Sequence, residues 1–182
     1  MKICIYGAAL DEIPENYRTG AEDFGRALAK RGHSLLFGGG KHGCMGAVAR
    51  GVAAEGGEVS AITPDFLNQG DDLFQPCHRV VRTRDLAERK RLFSVLGDAF
   101  VVLPGGIGTM DEYYEMYELA SFGKLKKPLV LFNMDHYYDL IEQMNQRFVD
   151  EGFLPPERAA VSRTCSSAEE VLDAVEAWYA QS

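Results

Sequence analysis

The chain has 182 residues, enough for one sizeable core, and its 46% hydrophobic and 25% charged residues are ordinary for a soluble globular domain. A formal net charge of −8 argues against nucleic acid as a bulk partner, because binding a phosphate backbone needs a basic face. No apolar run is long enough to span a membrane. The opening MKICIYG enters a strand-like run with no signal-peptide pattern, so the expected compartment is the cytoplasm.

Strand-length apolar runs then alternate with segments of helical period. KICIYG (2–7) leads to a helix over 16–31, with Tyr17, Ala21, Phe24 and Leu28 on one stripe. HSLLFG (33–38) precedes a helix over 43–55, and EVSAIT (58–63) is followed by the longest non-periodic segment, 63–76. A segment of that length is either a ligand cover or a plain irregular connection. HRVVRT (78–83), a helix over 86–96, AFVVLP (99–104), a helix over 109–122, PLVLFN (128–133) and a helix over 137–151 come next. A short strand AAVSRT (159–164) and a last helix over 168–180 close the series, with Ser167 and Glu170 at capping-box spacing. Gly32, Gly56, Gly97 and Gly152 stand at helix ends.

The strands are continuous Val/Ile/Leu/Phe runs, as strands buried on both faces are. The pattern predicts a single α/β domain over 1–182: a doubly wound, mostly parallel sheet of about seven strands with helices on both faces. Ligands of such sheets bind beyond the carboxyl ends of the strands. Cys4, Cys44, Cys77 and Cys165 form no CxxC pair and read as reduced thiols, so no metal site is expected.

Two strand-to-helix turns are glycine-rich, FGGGKHGCMG (37–46) and PGGIGT (104–109). Glycine admits positive φ and close approach of a ligand, and a helix start favours an anion. Two such turns point to a phosphorylated ligand, while close helix–strand packing is the structural alternative. Gly38, Gly40 and Gly43 also satisfy GxGxxG, with Asp65 about twenty residues on. A dinucleotide fingerprint normally occupies the first strand–helix turn, however, and here that turn is YGAALDEIP. Thr109 and Glu112 have the S/T-x-x-E spacing of a capping box, so by spacing alone Glu112 is a cap. RTRDLAERKRLF (82–93) concentrates Arg82, Arg84, Arg89, Lys90 and Arg91 in an acidic protein, as a solvated face or as the wall of an anion site.

PGGIGTMDE fits the pattern PGGxGTxxE. DLAERK (85–90) is similar to a companion Arg-Lys motif, GGGKHGCMG (38–46) to a first glycine-rich turn, and NMDHYYDLI (133–141) to a later segment. Together these resemble the LOG family, the cytokinin riboside 5′-monophosphate phosphoribohydrolases, many of which once carried a lysine decarboxylase label. The resemblance implies a Rossmann-like fold, hydrolysis of the N-glycosidic bond of a purine nucleoside 5′-monophosphate such as AMP, no cofactor, and a homodimer or higher oligomer. It implies Arg89 and Glu112 as the catalytic pair, with Lys90, Gly105, Gly106, Gly108 and Thr109 binding ligand and Gly39, Gly40 and Gly43 helping to hold phosphate. The chain departs from the family pattern at YGAALDE, at Leu86 and Ala87, and at SFGKLKKP (121–128).

A helix over 113–122 that is apolar on more than one face agrees with oligomerisation. The rival reading is a non-catalytic carrier of a phosphorylated ligand, since molybdenum-cofactor-binding relatives of this fold keep glycine-rich turns. A pyridoxal decarboxylase needs a Schiff-base lysine and a ring-nitrogen partner, and neither is identifiable.

Overall fold

The computed structural model describes residues 1–181. Seven parallel strands form one sheet: β1 (Lys2–Tyr6), β2 (Ser34–Phe37), β3 (Val59–Pro64), β4 (Arg79–Thr83), β5 (Ala99–Val102), β6 (Leu129–Phe132) and β7 (Arg163–Cys165). Their order is β4-β3-β2-β1-β5-β6-β7. The helices are α1 (Glu15–Lys30), α2 (Gly43–Ala54), α3 (Leu86–Leu96), α4 (Ile107–Ser121), α5 (Asp139–Asp150), α6 (Pro156–Ala159) and α7 (Ala168–Ala180). This is the expected Rossmann-like α/β architecture.

Residues alternate across the sheet, so each face builds its own core. Ile3 and Ile5 of β1 pack with Phe24, Leu28, Val48 and Val171, under α1, α2 and α7. Cys4 and Tyr6 pack with Phe93, Phe100, Tyr113 and Met116, under α3 and α4. Both faces are apolar, which is why the strands carry no in–out polar alternation.

Three expected element starts move by two residues or more. The seventh strand begins at Arg163 rather than 159, because Pro155 and Pro156 start the short helix α6, where proline suits the first helical position. Helix α4 begins at Ile107, two residues early, with Gly106 as its N-cap. Helix α5 begins at Asp139 rather than 137, because Asp135 and His136 take left-handed backbone angles, with φ of 49° and 61°. At α7, Ser167 does cap, accepting from the Glu170 N–H at 3.2 Å, while Glu170 reaches the Ser166 N–H at 2.9 Å.

The segment after β3 covers the first glycine-rich turn. Phe74 N–H donates to Gly39 O at 2.8 Å, the Asn68 side-chain amide donates to Gly38 O at 2.8 Å, and Gly40 bridges to Leu73. It packs on that turn, and none of its residues lines the cleft described next. No helix of the described residues is long and apolar enough to cross a membrane.

Candidate active site

The chain runs outward from β1 to β4 and then returns to lay β5 on the other side of β1. The connections leaving β1 and β5 therefore go to opposite faces of the sheet and open a crevice between them. A cleft of about 590 Å³ lies there. One wall is the segment after β1 (residues 7–14) with Tyr17. The other is the turn Pro104–Gly106, the start of α4, and Leu86, Arg89 and Lys90 of α3.

Glu112 and Arg89 meet on the second wall. Arg89 Nη2 donates to Glu112 Oε1 at 2.9 Å, with side chains only 14% and 13% exposed. Burial pushes the Glu112 carboxyl up to about 7, against the opposing pull of Arg89. The guanidinium lies 5.2 Å from the Phe93 ring centroid, and its Nε has no hydrogen-bond partner among the described residues. Gly38 makes room for it, since a Cβ there would stand 2.7 Å from Nη2. The first glycine-rich turn thus serves the cleft from behind, as space for Arg89.

The capping-box reading of Glu112 does not hold. With Gly106 as N-cap, Thr109 lies inside the first turn and Glu112 more than a turn further on, out of reach of the cap N–H. Thr109 is instead buried, and a Cβ on Gly105 would collide with its Oγ1, so the tight PGG turn requires glycine there. Gly105, Gly106 and Gly108 keep negative φ; close approach, rather than positive φ, explains the glycines of this turn. No side chain of the described residues caps α4, so the first N–H groups of a helix, with its positive dipole end, lie at the cleft.

The other expected residues divide. Lys90 lines the cleft but is tied to Asp111 at 3.0 Å and Glu115 at 2.6 Å, bridging α3 to α4. Gly39 and Gly40 do not line it, being packed beneath Leu73 and Asn68. Gly43 has φ of 60°, and its N–H donates to Asp11 at 2.9 Å, so a carboxylate of the chain already sits at the start of α2. Those bonds, Gly43 N–H first and His42 second, hold the Asp11 carboxyl below its ordinary value. The dinucleotide reading loses its phosphate site to Asp11.

Sequence reasoning missed Tyr17, Ile13 and Tyr137 as cleft residues. Tyr17 stood out only as part of the apolar stripe of the first helix, and Ile13 carries no spacing signal. Tyr137 lies in the segment NMDHYYDLI, which was singled out but given no role.

A family model described as "possible lysine decarboxylase" matches residues 45–175. A cytokinin riboside 5′-monophosphate phosphoribohydrolase of Arabidopsis thaliana is 31% identical, over 97% of this chain and 78% of its own. The corresponding LOG protein of Oryza sativa subsp. japonica is 32% identical, over 94% and 71%. The chain belongs to the LOG family. Among solved structures, the Moco carrier protein from Chlamydomonas reinhardtii shares the fold, with a TM-score of 0.73 and 21% identity over 100% of this chain and 98% of that one.

The lysine decarboxylase description of this LOG-family model implies pyridoxal phosphate, and the cleft does not fit it. Among the described residues Lys90 is the only lysine lining the cleft, and hydrogen bonds to Glu115 and then Asp111 raise its pKa. A Schiff-base lysine needs the opposite shift. Of the departures from the LOG pattern noted in the sequence, the segment after β1 and Leu86 fall on the cleft, where Ala8, Ala9, Leu10 and Leu86 give an apolar wall, whereas Ala87 and residues 121–128 do not line it.

Proposed function

We propose that the protein hydrolyses the N-glycosidic bond of purine nucleoside 5′-monophosphates, releasing the free base and ribose 5-phosphate. The observation that carries this reading is the buried Arg89–Glu112 pair beside the uncapped start of α4, in the crevice between β1 and β5. The helix start and the PGG turn receive the 5′-phosphate, which places the anomeric carbon toward Glu112.

Water adds to C1′ as the C1′–N bond breaks. The bonding pair leaves with the base, and the water's proton is taken up as the base is released. Positive charge develops on the ribose, and an ionised Glu112 stabilises it and orients or deprotonates the water. A guanidinium is permanently charged, so Arg89 acts as an electrostatic and positioning group that favours the carboxylate form of Glu112. The purine lies along the apolar wall of Leu10, Ile13, Pro14 and Leu86, which accommodates an N6-alkyl group such as that of the cytokinins.

The test is base release from a panel of nucleoside monophosphates, including AMP and isopentenyl-AMP. Glu112→Gln is expected to cut turnover by roughly 10³-fold or more while AMP still binds. Near-normal release by that variant overturns the assignment. Tight binding of AMP by the wild-type protein with no base released overturns the hydrolase reading in favour of a carrier.

A further inference from the structure

The segment Asn133–Tyr138 after β6 plays no part in the chemistry above, yet its backbone is tightly constrained and its Tyr137 lines the cleft. Asp135 and His136 are consecutive non-glycine residues with φ of 49° and 61°. Such angles persist only where neighbouring groups over-determine them, and they cluster at functional sites. The ties here are specific. Asn133 is buried; its Oδ1 accepts the Tyr138 N–H at 2.6 Å, and its Nδ2 donates to Asp139 at 2.7 Å. Asn16 of α1 donates to the Asp135 carboxylate at 2.7 Å.

The result is two adjacent tyrosine hydroxyls delivered to the end of β5. Tyr138 donates to Leu103 O at 2.6 Å, and Tyr137 donates to Gly105 O at 2.9 Å. The Tyr137 ring is further fixed edge-on against Tyr17 at 5.5 Å and Tyr138 at 5.0 Å. The two bonds differ in consequence. A trans peptide is planar, with its C=O and following N–H pointing in opposite directions. The Leu103 carbonyl precedes Pro104, which has no N–H to direct. The Gly105 carbonyl shares its plane with the N–H of Gly106, and that N–H has no acceptor among the described residues. Gly105–Gly106 is also the peptide most free to flip, with a glycine on either side.

We infer that Tyr137 is a positioning residue: its hydroxyl locks the Gly105–Gly106 peptide so that the start of α4 presents its donors to a phosphate. Tyr138 beside it, whose hydroxyl donates to Leu103 O and also meets the Gly105 backbone, fixes the strand end rather than the Gly105–Gly106 peptide. The inference rests on the phosphate being held at this turn, as proposed above, but not on hydrolysis.

Kd values for ribose 5-phosphate and adenosine are to be measured by calorimetry for the wild type, Tyr137→Phe and Tyr138→Phe, and those for AMP on the same three backgrounds carrying Glu112→Gln, which removes turnover. Tyr137 is 42% exposed, so its variant folds. Tyr137→Phe is expected to weaken AMP and ribose 5-phosphate about tenfold, the scale of one lost hydrogen bond, with adenosine unchanged. Tyr138→Phe is expected to lower Tm while keeping the preference for AMP over adenosine. Equal weakening of AMP and adenosine by Tyr137→Phe overturns the inference, because Tyr137 then acts on base or sugar. Unchanged binding of all three, or a wild type that ignores ribose 5-phosphate, also overturns it. A wild type that binds ribose 5-phosphate but releases no base defeats the hydrolase reading and leaves this one standing.

Discussion

Glu112 makes the fold sensitive to pH in a direction opposite to most carboxylates. Its carboxyl moves from 4.5 in the unfolded chain to about 7 in the folded one, chiefly through burial. Between those values the folded state keeps a proton that the unfolded chain has lost. Stability from this group is therefore fully present below pH 4.5 and declines as pH rises through 7. At about 1.4 kcal/mol per pH decade, the decline amounts to about 3 kcal/mol. Glu112→Gln removes the titration while keeping the shape. Urea unfolding of both proteins at pH 4.5, 6, 7 and 8 isolates it, because other titrating groups cancel in the difference. The variant is expected to gain about 3 kcal/mol relative to wild type between pH 4.5 and 8, most of it below 7. A wild-type-minus-variant difference that stays constant across that range refutes the burial argument. A difference that moves the other way indicates that Arg89 outweighs burial and holds Glu112 ionised throughout.

If the proposed hydrolysis uses the Glu112 carboxylate, kcat/KM for AMP is expected to rise with pH to a plateau, with its midpoint near 7, and a rate independent of pH from 5 to 8 contradicts a requirement for the carboxylate. Arg89→Gln leaves a buried carboxylate without its cation, so it is expected to destabilise the protein by about 3 kcal/mol above pH 7 and to move the midpoint of the rate profile upward, both measured against wild type. Gly38→Ala meets the movable end of Arg89 rather than backbone, so activity is expected to fall while Tm changes little. Gly105→Ala collides with Thr109 inside the tight turn and is expected to cost about 1–3 kcal/mol in urea unfolding.

The strands were legible because burial on both faces leaves no polar residue to interrupt KICIY or AFVV, and the helices because Gly32, Gly56, Gly97 and Gly152 stop them. The start of α4 was misplaced by two residues because Thr109 looks like a cap. Its true role, filling the space that Gly105 leaves, depends on backbone geometry that spacing does not encode. Arg89 and Glu112 stood out as residue types, but their meeting depends on the chain crossing from the edge strand β4 back past β3, β2 and β1 to β5, which is topology. The GGG turn misled in an informative way. Three glycines suggested a phosphate cradle, whereas Gly38 admits the Arg89 guanidinium, Gly39 and Gly40 lie under the 65–76 segment, and the start of α2 holds Asp11. Asp11 lies 32 residues from Gly43, beyond any local pattern.

The energetic position of Glu112 argues for chemistry rather than for packing. A glutamate on the first turns of a helix usually reaches solvent or a cap, at no cost. This one is held beside a single arginine, with its neutral form favoured up to about pH 7 and its cation already sharing space with Gly38 and Phe93. A structural ion pair would be better served by a bidentate contact or a second donor, and Lys90, one residue away, makes just such a two-carboxylate contact with Asp111 and Glu115. The stable pairing on α3 and α4 is therefore the outer one. The inner pair is left under-satisfied at the edge of a cleft; on the hydrolysis proposed above, developing positive charge on the ribose supplies what the protein withholds, and the stabilisation of that charge by the carboxylate is the difference between ground and transition state that the proposal requires.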